Sequence, residues 1–403
     1  MKYVLKFWLA CIVWLACIAG GAITSFPSSA YAAEDESRLA AFMRGIEFSG
    51  FVDTYYSYRY SRPDKVETGS ENQFLNLRAW DRRHNSFALS NIQLSVFKPS
   101  TEESPIGFGF VTHFGDIANQ VMNPDTNEFG DEISDKFAIQ QGFVTYKAPI
   151  GNGLDFKVGR FATWIGSELI ETVDNPNYSR GLLFTNAIPY THTGIAISYP
   201  LLDTLTTSAF FVNSWDGQDQ DNNSAKSFGY QFHWAFGQNT DVVFNGIHGA
   251  EREDSSKDLR HLWDIVVAHR VMEGTKLILN GIFGTEAGGG ATGGVGKWWG
   301  FSGILSQDIT DAFGLALRGE YFDDGDGAMT GVATGAGIED SLGALVGTRE
   351  KGLRVWGATL TANIKIRENL LVRPEVRYDE ANQGAFRGHR SDLSTAMSFA
   401  YLF

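Results

Sequence analysis

The chain has 403 residues and carries 33 basic against 47 acidic side chains, a formal net charge of −14 at neutral pH. That balance excludes nucleic acid as a partner, because a phosphate backbone is held by excess positive charge. Both cysteines, Cys11 and Cys17, lie near the N-terminus, so the rest of the chain has no disulfide scaffold, cysteine nucleophile or thiolate metal site.

Residues 1–32 read as a secretory signal peptide. Lys2 and Lys6 supply the positive start, residues 7–23 are almost entirely apolar, and Ala30-Tyr31-Ala32 is a small-x-small cleavage site ahead of Glu34-Asp35-Glu36. The apolar run could span a bilayer if retained as an anchor; the cleavage site favours removal. Removal takes away two lysines and no acids, so the mature chain is more acidic still. Residues 33–46 then form a short periplasmic segment, and 47–403 show no linker or composition break. Beyond the signal segment there is no run of about 18 apolar residues, so no membrane helix is expected. The 45 Gly, 30 Phe, 14 Tyr and 10 Trp, against 10 Pro, point to an all-β chain rich in aromatics.

From residue 48 onward, segments of about ten residues alternate between large apolar and small or polar side chains, the period of a strand with one greasy face. In 48–59, Phe48, Val52, Tyr56 and Tyr58 oppose Ser49, Asp53, Ser57 and Arg59. Further segments follow at 87–97, 106–114, 137–146, 154–160, 193–199 and 205–213. The clearest is 228–236, with Phe228, Tyr230, Phe232, Trp234 and Phe236 on one face. Then come 242–249, 261–271, 277–285, 298–307, 313–322, 353–364 and 370–378. In the last, 393–403, Leu393, Met397, Phe399, Tyr401 and Phe403 oppose Ser394, Ala396, Ser398 and Ala400. Pro374 interrupts its segment and predicts a bulge or an irregular pairing there.

The connectors alternate in length. Short ones fall near 99–105, 148–153, 200–204, 237–240, 272–275, 308–311 and 367–369. Long ones fall at 61–85, 115–135, 161–192, 214–226, 250–260, 287–297, 323–351 and 380–391. Short periplasmic turns alternating with long outer loops are the plan of an outer-membrane barrel. The fold expected is therefore a transmembrane antiparallel up-and-down β-barrel of about 16 strands, closed because no sheet edge persists in lipid. A barrel of that width leaves an aqueous lumen, which implies passage of small hydrophilic solutes or ions.

Charges that oppose an apolar stripe line the lumen, since each would cost about 2–4 kcal/mol facing lipid at mid-depth. They are Arg318 and Glu320 on one segment, and Arg373, Glu375, Arg377 and Asp379 on another. They either brace the wall by pairing or select ions, and the two roles are compatible. The third long connector, 161–192, mixes hydrophobics with Glu168, Glu171, Asp174 and Arg180. It either packs over the rim or folds inward and narrows the pore. In the second case its acids face basic wall residues, namely Lys157, Arg160, Arg318, Arg373 and Arg377, and the transverse field sets ion preference. The histidines His113, His233, His248, His261 and His269 are scattered over separate segments, and no Gly-x-Ser-x-Gly or His-Glu-x-x-His motif occurs. No enzyme is expected, with a barrel hydrolase or a plugged, gated channel as the alternatives. Asp323-Asp-Gly-Asp-Gly327 resembles a calcium-ligating run but lacks the closing bidentate glutamate, so neither a metal nor a cofactor is expected.

The chain resembles the beta-barrel porin-2 (OmpL-like) family of Gram-negative outer membranes. The matching stretches run Phe48 to Tyr56, Asn85 to Ser90, Val158 to Glu168, Asn177 to Arg180, His192 to Gly194 and Arg373 to Asp379. The resemblance covers essentially the whole mature chain and implies a porin-like barrel, with no substrate or catalytic residue to carry over. The partners expected are outer-membrane lipid, lipopolysaccharide and the barrel-assembly machinery, the last reading Tyr401 and Phe403 as its signal. A homotrimer is compatible with a barrel of this size.

Overall fold

The structure, a computed structural model, describes residues 45–61, 77–81, 83–118, 137–216, 223–252, 255–290, 293–330, 352–386 and 389–403. The compact unit is Glu47–Phe403. The expectations for residues 1–44, signal peptide included, lie outside the described residues.

Sixteen strands follow in chain order: β1 (Glu47–Arg59), β2 (Ser86–Lys98), β3 (Ile106–Phe114), β4 (Phe137–Ala148), β5 (Leu154–Ala162), β6 (Thr191–Leu202), β7 (Leu205–Val212), β8 (Ser227–Phe236), β9 (Thr240–Ala250), β10 (Leu259–Met272), β11 (Thr275–Glu286), β12 (Gly296–Thr310), β13 (Phe313–Asp324), β14 (Leu353–Ile366), β15 (Leu370–Ala381) and β16 (Ser391–Leu402). A one-turn helix, α1 (Leu182–Asn186), and a 3-10 turn at Thr172–Asp174 lie in the third long connector. Every strand pairs antiparallel with its neighbours in sequence, and β1 pairs with β16 to close the ring. Closure runs to the chain end, where Gly50 and Phe403 exchange two backbone hydrogen bonds of 2.9 Å. No edge is left for lipid to strand without partners.

Alternation sets the two faces. Large apolar side chains such as Phe87, Phe211, Phe301, Leu317 and Tyr401 are exposed on the outside, where the solvent is lipid. Asp53, Arg318, Arg373 and Ser398 are buried on the inside. Bulges shift the register between Asp53 and Thr54 against β2, and between Val111 and Thr112 against β4. Pro374 makes no bulge. The β14–β15 ladder runs from Thr361↔Glu375 to Ile364↔Val372 without a shift, and the two pairs between are missing. Proline has no N–H to donate, while its pairing with Met397 of β16 persists.

Polar-in alternation fails toward the long-connector end of β9–β14. Ile247, Leu262, Ile282, Trp298, Phe322 and Val355 all take inward positions and are buried. They pack with connector residues, among them Ile165, Leu182, Leu183, Phe184 and Trp215, into one apolar cluster. The barrel interior at that level is thus a packed core.

The histidines are less scattered than their sequence positions suggest. Register places His248 of β9 opposite His261 of β10, with the Nδ1 atoms 3.0 Å apart on the outward face; His261 stacks on Trp263, and Tyr230 and Trp263 lie tilted against His248. The spacing in sequence concealed this, because cross-strand neighbours meet by register.

Deleting Phe403 removes both closing hydrogen bonds to Gly50, a loss of about 1–3 kcal/mol. The expected outcome is a lower melting temperature of the folded, detergent-resistant band on unheated gels; an unchanged temperature would show that closure does not depend on this residue.

Candidate functional site

Inward charges on β13 and β15 stand two residues apart, the spacing that keeps side chains on one face of a strand. Arg318 Nε lies 3.2 Å from Glu320, and Arg377 Nε 2.9 Å from Asp379. Arg377 also reaches Glu320 at 3.7 Å, and Arg78 of the first connector reaches Asp379 at 3.7 Å and pairs with Asp81. Arg318 Nη1 lies 2.8 Å from Glu168 of the third connector. All of these groups are buried, so each charge depends on the partners beside it.

The third connector meets this ladder with its backbone. Glu375 accepts the N–H groups of Tyr178 at 2.8 Å and Ser179 at 3.2 Å, together with the Thr361 hydroxyl at 2.7 Å. Glu320 accepts from Leu182 N at 2.5 Å, and Glu168 from Gly181 N at 3.0 Å. The arginines donate to carbonyls: Arg318 to Ser179 at 2.5 Å, Arg377 to Arg180 at 2.7 Å and Arg373 to Thr172 at 2.6 Å. Thr172 in turn donates to Asp53 of β1 at 3.0 Å. An irregular segment with unpaired backbone groups is thereby satisfied by charged side chains, which make the stronger hydrogen bonds.

The same connector reaches the opposite side of the ring. Trp164 stacks on Phe210 of β7 with centroids 3.7 Å apart, and its carbonyl accepts from Gln231 of β8 at 3.2 Å. Gly166 N donates to Asp264 of β10 at 3.1 Å. Trp298 of β12 donates to the Ala187 carbonyl at 3.2 Å. Leu183 of α1 sits against Gly300, where a Cβ would stand 2.3 Å from it, so only glycine leaves the notch. Burying Leu182, Leu183 and Phe184 contributes about 1.5–3 kcal/mol each.

The residues singled out from the sequence separate into groups. Glu168, Arg318, Glu320, Arg373, Glu375 and Arg377 come together in one buried network. Arg180 is buried and donates to the Ile170 and Tyr178 carbonyls, with its guanidinium 5.2 Å from the Trp80 ring centroid. Glu171 sits beside Gln140, and burial pushes its carboxyl above the usual range. Asp174 is exposed; burial of part of its side chain and the nearby Glu171 raise its carboxyl, against the pull of Arg373.

Two expectations are corrected. Lys157 faces inward but places its ammonium over the rings of Phe143 and Phe161, at 4.6 and 5.7 Å, not against the connector acids. Arg160 shares the outward parity of Val158, which is 52% exposed, and donates to the Thr191 hydroxyl at 3.2 Å. Three residues apart in a strand, Lys157 and Arg160 cannot share a face. The Asp323–Gly327 run is occupied with local bonds: Asp324 accepts from the N–H groups of Ala328, Met329 and Thr330, and Asp323 pairs with Arg354.

Sequence reasoning passed over Asp53, Asp264 and the Arg78–Asp81 pair. For the first two a signal was present, an acid at an inward position in mid-strand, which persists only where partners await it. Arg78, Trp80 and Asp81 carried none, because their contacts belong to the folded first connector.

A closed sixteen-stranded barrel with a greasy outer belt and a polar network inside defines an outer-membrane β-barrel channel. The family described as "Putative beta-barrel porin-2, OmpL-like" matches residues 45–403, and the chain belongs to it. It is an outer-membrane porin of Gram-negative type. Solved structures agree in fold. An anion-selective porin from Comamonas acidovorans superposes with a TM-score of 0.56 at 11% identity, over 89% of this chain and 99% of that one. Salmonella typhi OmpF in complex with daunomycin gives 0.56 at 11% identity, over 89% and 97%. OmpT of Vibrio cholerae in a trimer form gives 0.54 at 12% identity, over 89% and 99%. A search of curated protein sequences finds no match.

Arg318→Ala leaves Glu168 and Glu320 buried without their shared cation, at a cost of about 3–5 kcal/mol. The folded barrel is then expected to melt earlier, and residues 161–192 to become cleavable by protease added from outside. Wild-type resistance of both would mean that Arg318 does not hold the connector.

Proposed function

We propose that the third connector sets the limit on what crosses this porin, and that small hydrophilic solutes and ions pass by diffusion through the water beside it. The observation that supports this is its span across the barrel, from Trp164 on β7 and β8 to Thr172, Tyr178 and Ser179 on β1 and β15. Asp174 is its exposed acid and the residue placed to meet a passing ion.

No bond-making step is proposed. The buried histidines are engaged by neutral groups: His113 by Asn91 and Gln140, at 3.0 and 2.6 Å, and His192 by Thr163 and Ser214, at 3.1 and 3.3 Å. Neither pair joins a nucleophile to a carboxylate-oriented base. A second reading is a channel closed at rest, favoured by the near-complete burial of Glu168, Thr172, Asn177, Ser179 and Arg180.

Three further parts belong to this reading. Residues 1–32 are removed on export. Tyr401 and Phe403 present the last strand to the barrel-assembly machinery. Three barrels associate, as in the trimer form of Vibrio cholerae OmpT, which shares the fold.

The test is single-channel recording in a planar bilayer under a salt gradient. Discrete steps from the wild-type barrel are expected; an inserted barrel that is silent until residues 169–176 are excised would establish the closed reading. Asp174→Asn is expected to shift the permeability ratio toward anions, because it removes a negative charge from the path. A carboxyl is charged only above its pKa, and burial raises those of Glu171 and Asp174. Acidifying the wild type therefore shifts the ratio the same way, beginning above the ordinary carboxylate range. Identical ratios for wild type and D174N at neutral pH would remove Asp174 from the path.

A further inference from the structure

We propose that the outward face of β12, β13 and β14 is a binding site for a phosphorylated, multiply acylated glycolipid of the outer leaflet. It rests on the barrel's place in the outer membrane and not on conduction, so the two readings stand or fall separately.

The site begins with register. Leu279, Gly303, Gly319 and Ala358 are direct partners across β11–β14, all on the outward face. Three consecutive small residues remove the side-chain layer that the belt carries elsewhere. One step toward the long connectors, Phe301, Tyr321 and Trp356 stand in line; one step toward the short turns stand Leu305, Leu317 and Leu360. Beside the aromatic wall, over Gly303, Gly319 and Ala358, lies a hollow of about 910 Å³, closed at one side by Ile265, Val267 and Leu279. A Cβ on Gly319 would meet nothing within 4 Å, so the hollow stands open over it.

Charge lies above the hollow, on the side of the long connectors and hence of the outer leaflet. The next row is Trp299, Asp323 and Arg354. Arg354 Nε pairs with Asp323 at 2.9 Å while its side chain remains 54% exposed, and the Tyr321 hydroxyl donates to the same carboxylate at 3.2 Å. Asp323 therefore fixes the guanidinium by one edge above the aromatic row. Lys297, two residues before Trp299 on the same parity, is exposed beside it. Two cations above an aromatic row and an apolar hollow match an anionic head carried on acyl chains. Guanidinium and ammonium take the phosphates, and the chain methylenes fill the space over the glycines.

The folded barrel is titrated in detergent with bisphosphorylated lipid A, monophosphorylated lipid A and phosphatidylethanolamine, and retained lipid is counted by native mass spectrometry. Bisphosphorylated lipid A is expected to bind best. Gly319→Leu fills the hollow and is expected to weaken it roughly tenfold, or about 1.4 kcal/mol, with the folded gel band unchanged. If that variant fails to fold, Ala358→Leu fills the same hollow from β14. Lys297→Ala is expected to erase the preference for two phosphates over one while leaving acyl binding in place. The proposal is overturned if lipid A binds no better than phosphatidylethanolamine, if a folded, filled variant binds as the wild type does, or if Lys297→Ala leaves the phosphate preference intact.

Discussion

In the core of a bilayer no water is present to take up an unpaired N–H or C=O, and the rest of this structure follows from that constraint. The sheet has to close, so β1 meets β16 and the chain's last residue is drawn back to Gly50. Closure at sixteen strands fixes a ring too wide for side chains to fill. The remaining space takes either water or polypeptide, and the third connector makes its contacts with inward residues of the wall.

An irregular segment held against the inner wall raises the same constraint a second time. Its backbone groups are no longer open to bulk water and need partners from the wall. The inward side chains of β13 and β15 supply them, with Glu375 and Glu320 accepting N–H groups and Arg318, Arg373 and Arg377 donating to carbonyls. These charges are buried, and each would be costly alone. Wall and connector are therefore interdependent: each carries the groups that make the other's burial tolerable. The apolar half of the contact, where α1 meets Trp298, Phe322 and the Gly300 notch, adds burial energy without direction.

Outside, the controlling quantity is side-chain size at fixed height. Alternation puts any outward residue in lipid, but register alone aligns Gly303, Gly319 and Ala358 into a hollow. The same rule brings His248 against His261, two residues that nothing in their sequence spacing connects.

What the sequence determined by itself is the architecture. Period-two alternation, the short–long rhythm of connectors and the charged parity of Arg373, Glu375 and Arg377 were all local patterns, and the constraint on lipid-facing groups converts local patterns directly into strands, faces and a closed ring. Parity alone also separates Lys157 from Arg160, three residues apart, so that the two cannot both line the wall. Which way Pro374 would disturb its ladder, that Lys157 would lie over Phe143 and Phe161, and that Glu375 would bind backbone while Asp174 stayed exposed were decided only by tertiary structure. Those outcomes depend on pairs far apart in the chain, such as Ser179 with Glu375 or Gly166 with Asp264. Register and the path of a connector settle such pairs, and neither leaves a periodic trace in the sequence.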